Sequence, residues 1–337
     1  MSHTFLSSLA LFSAVLFSLS FPASAQNYTP KLTEHGQPDL RGVWNFSSRT
    51  PLERPERFGE IEFLQDVDRA TLNARPTRGG SAGAYPSRVI GAYNGYWNDT
   101  NELQISGRTS LITHPLNGRI PPVRDGVHVQ LGGDITTDVD FGESRPVRYT
   151  HGGIGRTGPE DRGLSERCLV FVSGPPLLTG YYNNHIQIFQ NADHVVLLIE
   201  MGWDARIVSL EEKPHIDSSI KQWSGDSRGY WDGNTLVVET RNFSEKVGSL
   251  SLRGIAYGNA TDRLLIERFT PIAAGVLEYE FTVDDPTTFT DKIVGNSSMT
   301  SVEDSIYEFA CHSGNYAMAG ILRAGRVEEA DAAAAAN

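Results

Sequence analysis

In the stretch GPEDRGLSERC, residues 158 to 168, charges of both signs lead straight into Cys168 and the apolar run Leu169-Val170-Phe171-Val172. Charges set this close can pair with one another as an ion-pair lattice, or line a site where Arg holds an oxyanion and Glu tunes a proton carrier. Four more polar clusters share this character. Tyr182, Asn183, Asn184 and His185 stand just before an apolar run, and Glu200, Trp203, Asp204 and Arg206 straddle a short connection. Trp223, Asp226, Arg228, Tyr230 and Trp231 precede a turn, and Tyr307, Glu308, His312, Asn315 and Tyr316 surround Cys311. The residues chosen for proton transfer are Tyr182 and His312, with Glu200 or Glu166 tuning the imidazole and Arg206 and Arg167 holding an anion. Asn183, Asn184, Trp203, Asp204, Asp226, Arg228, Trp231 and Tyr316 are the candidates for ligand contact, since rings stack and amides or charges bond hydroxyls.

Two sharper motifs are set aside on context. Gly225-Asp226-Ser227-Arg228-Gly229 fits G-x-S-x-G, but a nucleophile elbow needs a strand before it and a helix after it, and here Trp231-Asp232-Gly233-Asn234 opens a hairpin. Gly153-Ile154-Gly155-Arg156-Thr157-Gly158 fits G-x-G-x-x-G without the preceding apolar strand that dinucleotide binding requires. The nine His show no H-x-H, H-E-x-x-H or C-x-x-C-type spacing. A metal site would have to be assembled from distant His114, His151, His185 and His312. Asp134, Asp138 and Asp140 lack the glycine and terminal glutamate of a calcium loop. No metal and no cofactor are expected.

The elements that must position these clusters are short and densely punctuated, with 33 Gly and 17 Pro, a pattern that favours β structure. The runs IQIFQ (186–190), HVVLLIEM (194–201) and ARIVSL (205–210) are separated by turn residues and read as an antiparallel meander. A second hairpin is expected around Gly233-Asn234. A third joins Arg263–Thr270 to Val276–Val283, where alternation sets one apolar face against one polar face. Helical signal is thin. Its best case runs from Glu62 to Arg75 and stops at Pro76, after which residues 76–101 read as a long loop.

Met1–Ala25 carries an apolar run followed by Pro22-Ala23-Ser24-Ala25, the form of a cleaved signal peptide. In the oxidising compartment this implies, Cys168 and Cys311 are expected to pair, a long loop closure worth roughly 5 kcal/mol in the chain-entropy account. The bond would bring the first and fifth clusters together and put His312 within reach of Glu166 or Arg167. With 41 acidic and 29 basic residues the formal charge is −12, which disfavours nucleic acid and anionic membrane surfaces as partners. No stable membrane insertion is expected. The expected organisation is a signal peptide over 1–25, one β-rich domain or two β modules over 26–327, and a disordered tail over 328–337.

Several blocks resemble a large family of secreted bacterial proteins of unknown function. They are Pro38-Asp39-Leu40-Arg41-Gly42-Val43-Trp44, Arg108–Ile112 with Gly118–Pro122, the GPEDRGLSERC stretch, Gly225–Thr240, and Tyr307–Tyr316. The resemblance covers most of the chain after residue 25 and brings no catalytic residues with it. Gly42-Val43-Trp44 is also similar to the G-x-W of a first lipocalin strand, which would imply a calycin-like barrel. The fold class is therefore mainly β: an antiparallel meander in a calycin-like barrel or a β-sandwich, with long loops and few short helices.

Two function classes follow. The first is a periplasmic or secreted, cofactor-independent acid/base enzyme, a lyase, isomerase or hydrolase acting on a small polyol, glycan fragment or aromatic compound. The second is a non-catalytic, lipocalin-like binder of a small hydrophobic or glycosidic ligand. Under the second, Trp and Tyr changes abolish binding while His312 matters little.

Overall fold

The computed structural model of the chain describes residues 28–66, 68, 106–131, 156–172, 174–180, 182–252 and 255–336. The expected signal segment, most of the expected helix and loop between 62 and 101, His151, and the acidic group Asp134, Asp138 and Asp140 lie outside the described residues.

Nine strands close into a barrel: β1 (Gly42–Asn45), β4 (His185–Gln190), β5 (His194–Ile199), β6 (Asp204–Ser209), β7 (Asp226–Asp232), β8 (Thr235–Arg241), β11 (Leu264–Ala273), β12 (Val276–Asp284) and β13 (Ile293–Val302). They neighbour one another in that order, and β13 returns to pair with β1 at Val43↔Val302 and Trp44↔Ser301. Closure removes the exposed edges that an open sheet would offer to another chain. The short strand β2 (Ile112–His114) continues along the same side of β13 beyond the end of β1. A separate three-stranded antiparallel sheet runs in the order β3 (Val129–Leu131), β10 (Ile255–Tyr257) and β9 (Leu250–Leu252).

The meander and both hairpins read from the sequence are all present. Their alternation puts Ile186 and Ile188 of β4, Val195, Leu197 and Ile199 of β5, and Leu277, Tyr279, Phe281 and Val283 of β12 into one continuous buried core. Burying one such side chain contributes about 1.5–3 kcal/mol, so the alternating pattern is enough to fix which face of each strand turns inward. Trp44 joins this core from β1 and donates its indole N–H to the Leu40 carbonyl at 2.8 Å.

One seam is thin. β6 and β7 run parallel and pair only at Ser209↔Arg228, whereas every other strand pair around the ring is antiparallel. Gly229 permits the approach there: a Cβ at this position would stand 2.7 Å from Val208 Cγ1 and 3.1 Å from Leu210 Cδ2. The barrel is therefore mixed in strand direction, and not the purely antiparallel sheet that the hairpin signals indicate.

The chain before β4, described over residues 169–172 and 174–180, lies at the end of the barrel where β4 begins, with Leu177 and Leu178 buried in the core. The Leu177 backbone N–H donates to the Tyr279 hydroxyl at 2.9 Å, which ties the segment to an inward side chain of β12. At its start Cys168 is bonded to Cys311, with Cα atoms 5.9 Å apart. At its end the buried Asn184 side chain accepts the Gly180 N–H at 2.6 Å.

The chain finishes in helix α1 (Tyr316–Ala335), capped by Asn315, whose side chain accepts the Met318 N–H at 3.4 Å. The expected disordered tail is instead the last turns of this helix. Its alanines have the highest intrinsic helix propensity, and Arg156–Glu328 (2.6 Å) and Arg326 to the Thr157 carbonyl (2.9 Å) anchor the preceding turns. Among the described residues no helix is long and apolar enough to cross a membrane.

Candidate functional site

The barrel interior carries charge. Along β11 the buried residues of inward parity are Leu265, Glu267, Phe269 and Pro271, so an acidic side chain occupies a core position between apolar ones. From β6, Arg206 turns inward and its Nη2 meets Glu267 Oε2 at 2.5 Å. Tyr279 of β12 donates its hydroxyl to Glu267 Oε1 at 2.8 Å. Burial pulls the Arg206 guanidinium down, but the Glu267 carboxylate outweighs this and leaves it above its ordinary value. Burial, then the adjacent carboxylate, push the Tyr279 hydroxyl well up. This triad ties β6, β11 and β12 together across the interior.

A second buried cation stands at the start of β11. Arg263, 3% exposed, stacks on the Phe243 ring with its guanidinium carbon 3.7 Å from the ring centroid. Its Nη1 donates to the Ser249 carbonyl at 2.8 Å and more weakly to that of Gly248 at 3.4 Å. Nε and Nη2 find no acceptor among the described residues. Burial pushes this guanidinium down to about 9, still protonated at neutral pH, with Glu267 and Asp285 opposing the shift and Arg206 adding to it. Neither carboxylate bonds Arg263: Glu267 is engaged by Arg206 and Tyr279, and Asp285 by Thr287 and Thr288.

Arg263 is the one charged side chain among the described residues lining a pocket beside residues 170–178. Phe171, Pro176, Leu178, Trp223 and Val247 supply apolar wall, and Ser251 of β9 adds a hydroxyl that is buried and without a partner among the described residues. The enclosed cavity is small, about 20 Å³. Phe171 is held in place by an edge-to-face contact with Phe309, ring centroids 5.0 Å apart. It also lies directly above Gly202, where a Cβ would fall 2.5 Å from Phe171 Cδ2. Gly202 has φ +88°, so the β5–β6 turn needs glycine both for its backbone and for the ring above it.

At the end of the barrel where β4 begins lies a His–carboxylate pair. His185 Nδ1 and Glu200 Oε2 are 2.8 Å apart, and the Tyr307 N–H reaches Glu200 Oε1 at 3.3 Å. Burial raises the Glu200 carboxyl, but His185, the Tyr307 N–H and the Asn183 side chain together hold it below the ordinary 4.5. Asn183 and Trp203 both take left-handed backbone, as does Cys168. Such conformations cost free energy outside glycine and persist only where surrounding contacts over-determine them.

The clusters singled out in the sequence thus separate into distinct places. Asn183, Glu200 and Tyr307 meet. Asn184 is a buried latch for Gly180, and Tyr182 and Trp203 are partly exposed at 38% and 42%. Glu166 forms a two-bond ion pair with Arg162, and Arg167 approaches Glu160 at 3.8 Å. The Cys168–Cys311 bond does join the first and fifth clusters, through Asn315, which donates to the Glu166 carbonyl at 2.7 Å. His312 is exposed, with no hydrogen bond or ion pair to Glu166 or Arg167, and Tyr316 is 83% exposed. Asp204 bonds Ser224 and Asp226 bonds His215 at 2.8 Å, with Arg228 3.3 Å from its other oxygen. Ser227, of the rejected elbow motif, sits within β7 and shares a 2.9 Å hydrogen bond with Thr240. Trp231 is partly buried with its indole N–H unpartnered among the described residues.

Among the described residues no three His, Cys, Asp or Glu side chains converge as a metal site; His114 pairs with Asp291 and His185 with Glu200. Sequence reasoning missed Arg263, Glu267, Tyr279, Ser251 and His215. A signal for two of them was present: Arg263 and Glu267 share the parity of Leu265 and Phe269, so they are charges written into the apolar face of a strand. Compared with protein-family models, curated proteins and solved structures, the chain finds no match.

Proposed function

We propose that the protein binds a small hydrophobic ligand without transforming it, in the pocket beside residues 170–178. One observation carries this reading: an apolar pocket lined by Phe171, Pro176, Leu178 and Trp223 is also lined by buried polar groups, Arg263 and Ser251, with hydrogen-bonding capacity unused among the described residues. Binding sites have this composition, apolar wall with a few placed polar groups. The left-handed residues Asn183 and Trp203, and the close approach of Phe171 to Gly202, add a rim held in an uncommon conformation. The pocket is narrow as it stands, with clear room for about one water molecule, so on this reading ligand binding requires the Phe171 side chain to give way. The Cys168–Cys311 bond supports placing this binder in an oxidising, secreted or periplasmic setting.

The test is a titration with N-phenyl-1-naphthylamine, a neutral apolar fluorophore whose emission rises in a dry site. Saturable binding that Trp223→Ala weakens at least tenfold and His312→Ala leaves unchanged supports the reading. Absence of saturable binding, or equal binding by Trp223→Ala, refutes it. A second reading, cofactor-independent acid/base catalysis, is favoured by the His185–Glu200 pair, in which a carboxylate held in its ionised form pins one ring nitrogen. Its signature would be turnover that His185→Gln removes while ligand affinity is retained.

A further inference from the structure

Resting on the binding reading above, we infer that the ligand is an acid, an apolar body carrying a carboxylate that docks on the Nε/Nη2 edge of Arg263 with Ser251 beside it. The free atoms decide the class. Nε and Nη2 lie side by side on one edge of the planar guanidinium, and this edge matches the two oxygens of a carboxylate in a paired, two-bond arrangement. In Arg263 these are the two nitrogens without an acceptor among the described residues, while Nη1 is engaged by the Ser249 and Gly248 carbonyls. The group is therefore already oriented before any ligand arrives. Two backbone carbonyls hold one corner and the Phe243 ring, 3.7 Å away, holds one face. A fixed fork loses little freedom when it binds, which is what an anion-recognising group requires.

Charge bookkeeping around the site points the same way. Among the described residues, the ionised groups acting most strongly on Arg263 are Glu267, Asp285 and Arg206. Both carboxylates are hydrogen-bonded elsewhere and the third group is another cation. A buried charge with donors left over is costly unless something pairs with it, and a carboxylate entering the pocket would supply that partner. Ser251, which lines the same pocket, has a buried hydroxyl without a partner among the described residues and can donate a third hydrogen bond. The remaining wall of Phe171, Pro176, Leu178, Trp223 and Val247 is apolar, so polyols and sugars are poorly matched and an aromatic or aliphatic acid is well matched.

The experiment displaces N-phenyl-1-naphthylamine from the disulfide-bonded protein with 4-phenylbutyrate and, separately, with the neutral 4-phenyl-1-butanol. The acid is expected to displace the probe at least tenfold more strongly than the alcohol. Arg263→Met is expected to abolish that preference by weakening the acid alone, and Arg263→Lys, which keeps the charge but loses the fork, to reduce it. Equal displacement by acid and alcohol in the unaltered protein overturns the inference and needs no variant to fold. So does displacement by neither compound while the probe binds, and so does an acid preference that survives in a folded Arg263→Met. Failure of the neutral probe itself to bind removes the binding reading and this inference with it.

Discussion

Replacing Glu267 by Leu tests whether the charged triad inside the barrel is a coupled unit. Glu267 is fully buried and accepts from both Arg206 and Tyr279, so the substitution strands the Arg206 guanidinium, whose Nε and Nη1 already lack partners among the described residues. Breaking a buried ion pair from one side costs roughly 3–5 kcal/mol, because the surviving charge stays desolvated. Tyr279 loses its acceptor as well, adding roughly 1 kcal/mol. In a domain of this size each kcal/mol shifts the melting temperature by roughly 2–4 °C, so Glu267→Leu should melt roughly 8–24 °C below the unaltered protein. Arg206→Met combined with Glu267→Leu removes both charges and leaves mainly the Tyr279 defect. It should recover to within roughly 1–2 kcal/mol of the starting stability. Urea denaturation of the oxidised protein at pH 7, followed by tryptophan emission, gives all four corners of the cycle; with Arg206→Met alone also costing roughly 3–5 kcal/mol, the expected coupling is at least roughly 5 kcal/mol. A single variant costing less than about 1 kcal/mol, or a double variant no more stable than the single, would refute the coupling.

Two further outcomes concern the end of the barrel where β4 begins. Cys168→Ser with Cys311→Ser should cost roughly 2–5 kcal/mol and free the Phe309–Cys311 segment from Phe171, read as earlier proteolysis between Tyr307 and Asn315; unchanged stability and cleavage would show the bond to be incidental. Because the folded Glu200 carboxyl lies below its ordinary 4.5, its contribution is complete above about pH 4.5 and fades as pH falls through the folded value. The stability gap between the unaltered protein and His185→Gln should therefore shrink on acidification from pH 6 to about 3, and a gap constant across that range would dismiss the pair as a source of stability.

The chemistry at this end explains why the sequence-chosen residues scatter. Glu200, Asp204 and Arg206 lie close along the chain, yet they meet three different partners: His185, Ser224 and Glu267. Glu200 sits in the turn before β6, whereas Asp204 and Arg206, two positions apart, share one face of that strand by parity but stand roughly 6–7 Å apart along it, far enough to pair with different neighbours. His312 shows the complementary limit. A disulfide one residue away fixes its backbone near Cys168 but does not aim its ring, which faces solvent.

Alternation in HVVLLI, LLIERFTPIA and VLEYEFTVD by itself determined the strands, their hairpins and their inward faces, because a period of two leaves only one face to bury. The oxidised cysteine pair was legible for a similar reason, two thiols and no competing partner. Ring closure through β13 and β1, the parallel β6–β7 seam and the burial of Leu177 and Leu178 in the core are non-local, and no window of sequence encodes which strand a given edge will meet. The same holds for Arg263. Its position on the apolar parity of β11 marks it as buried, but only the folded chain brings Phe243, Ser249 and Ser251 around it and leaves one edge of its guanidinium without a partner among the described residues.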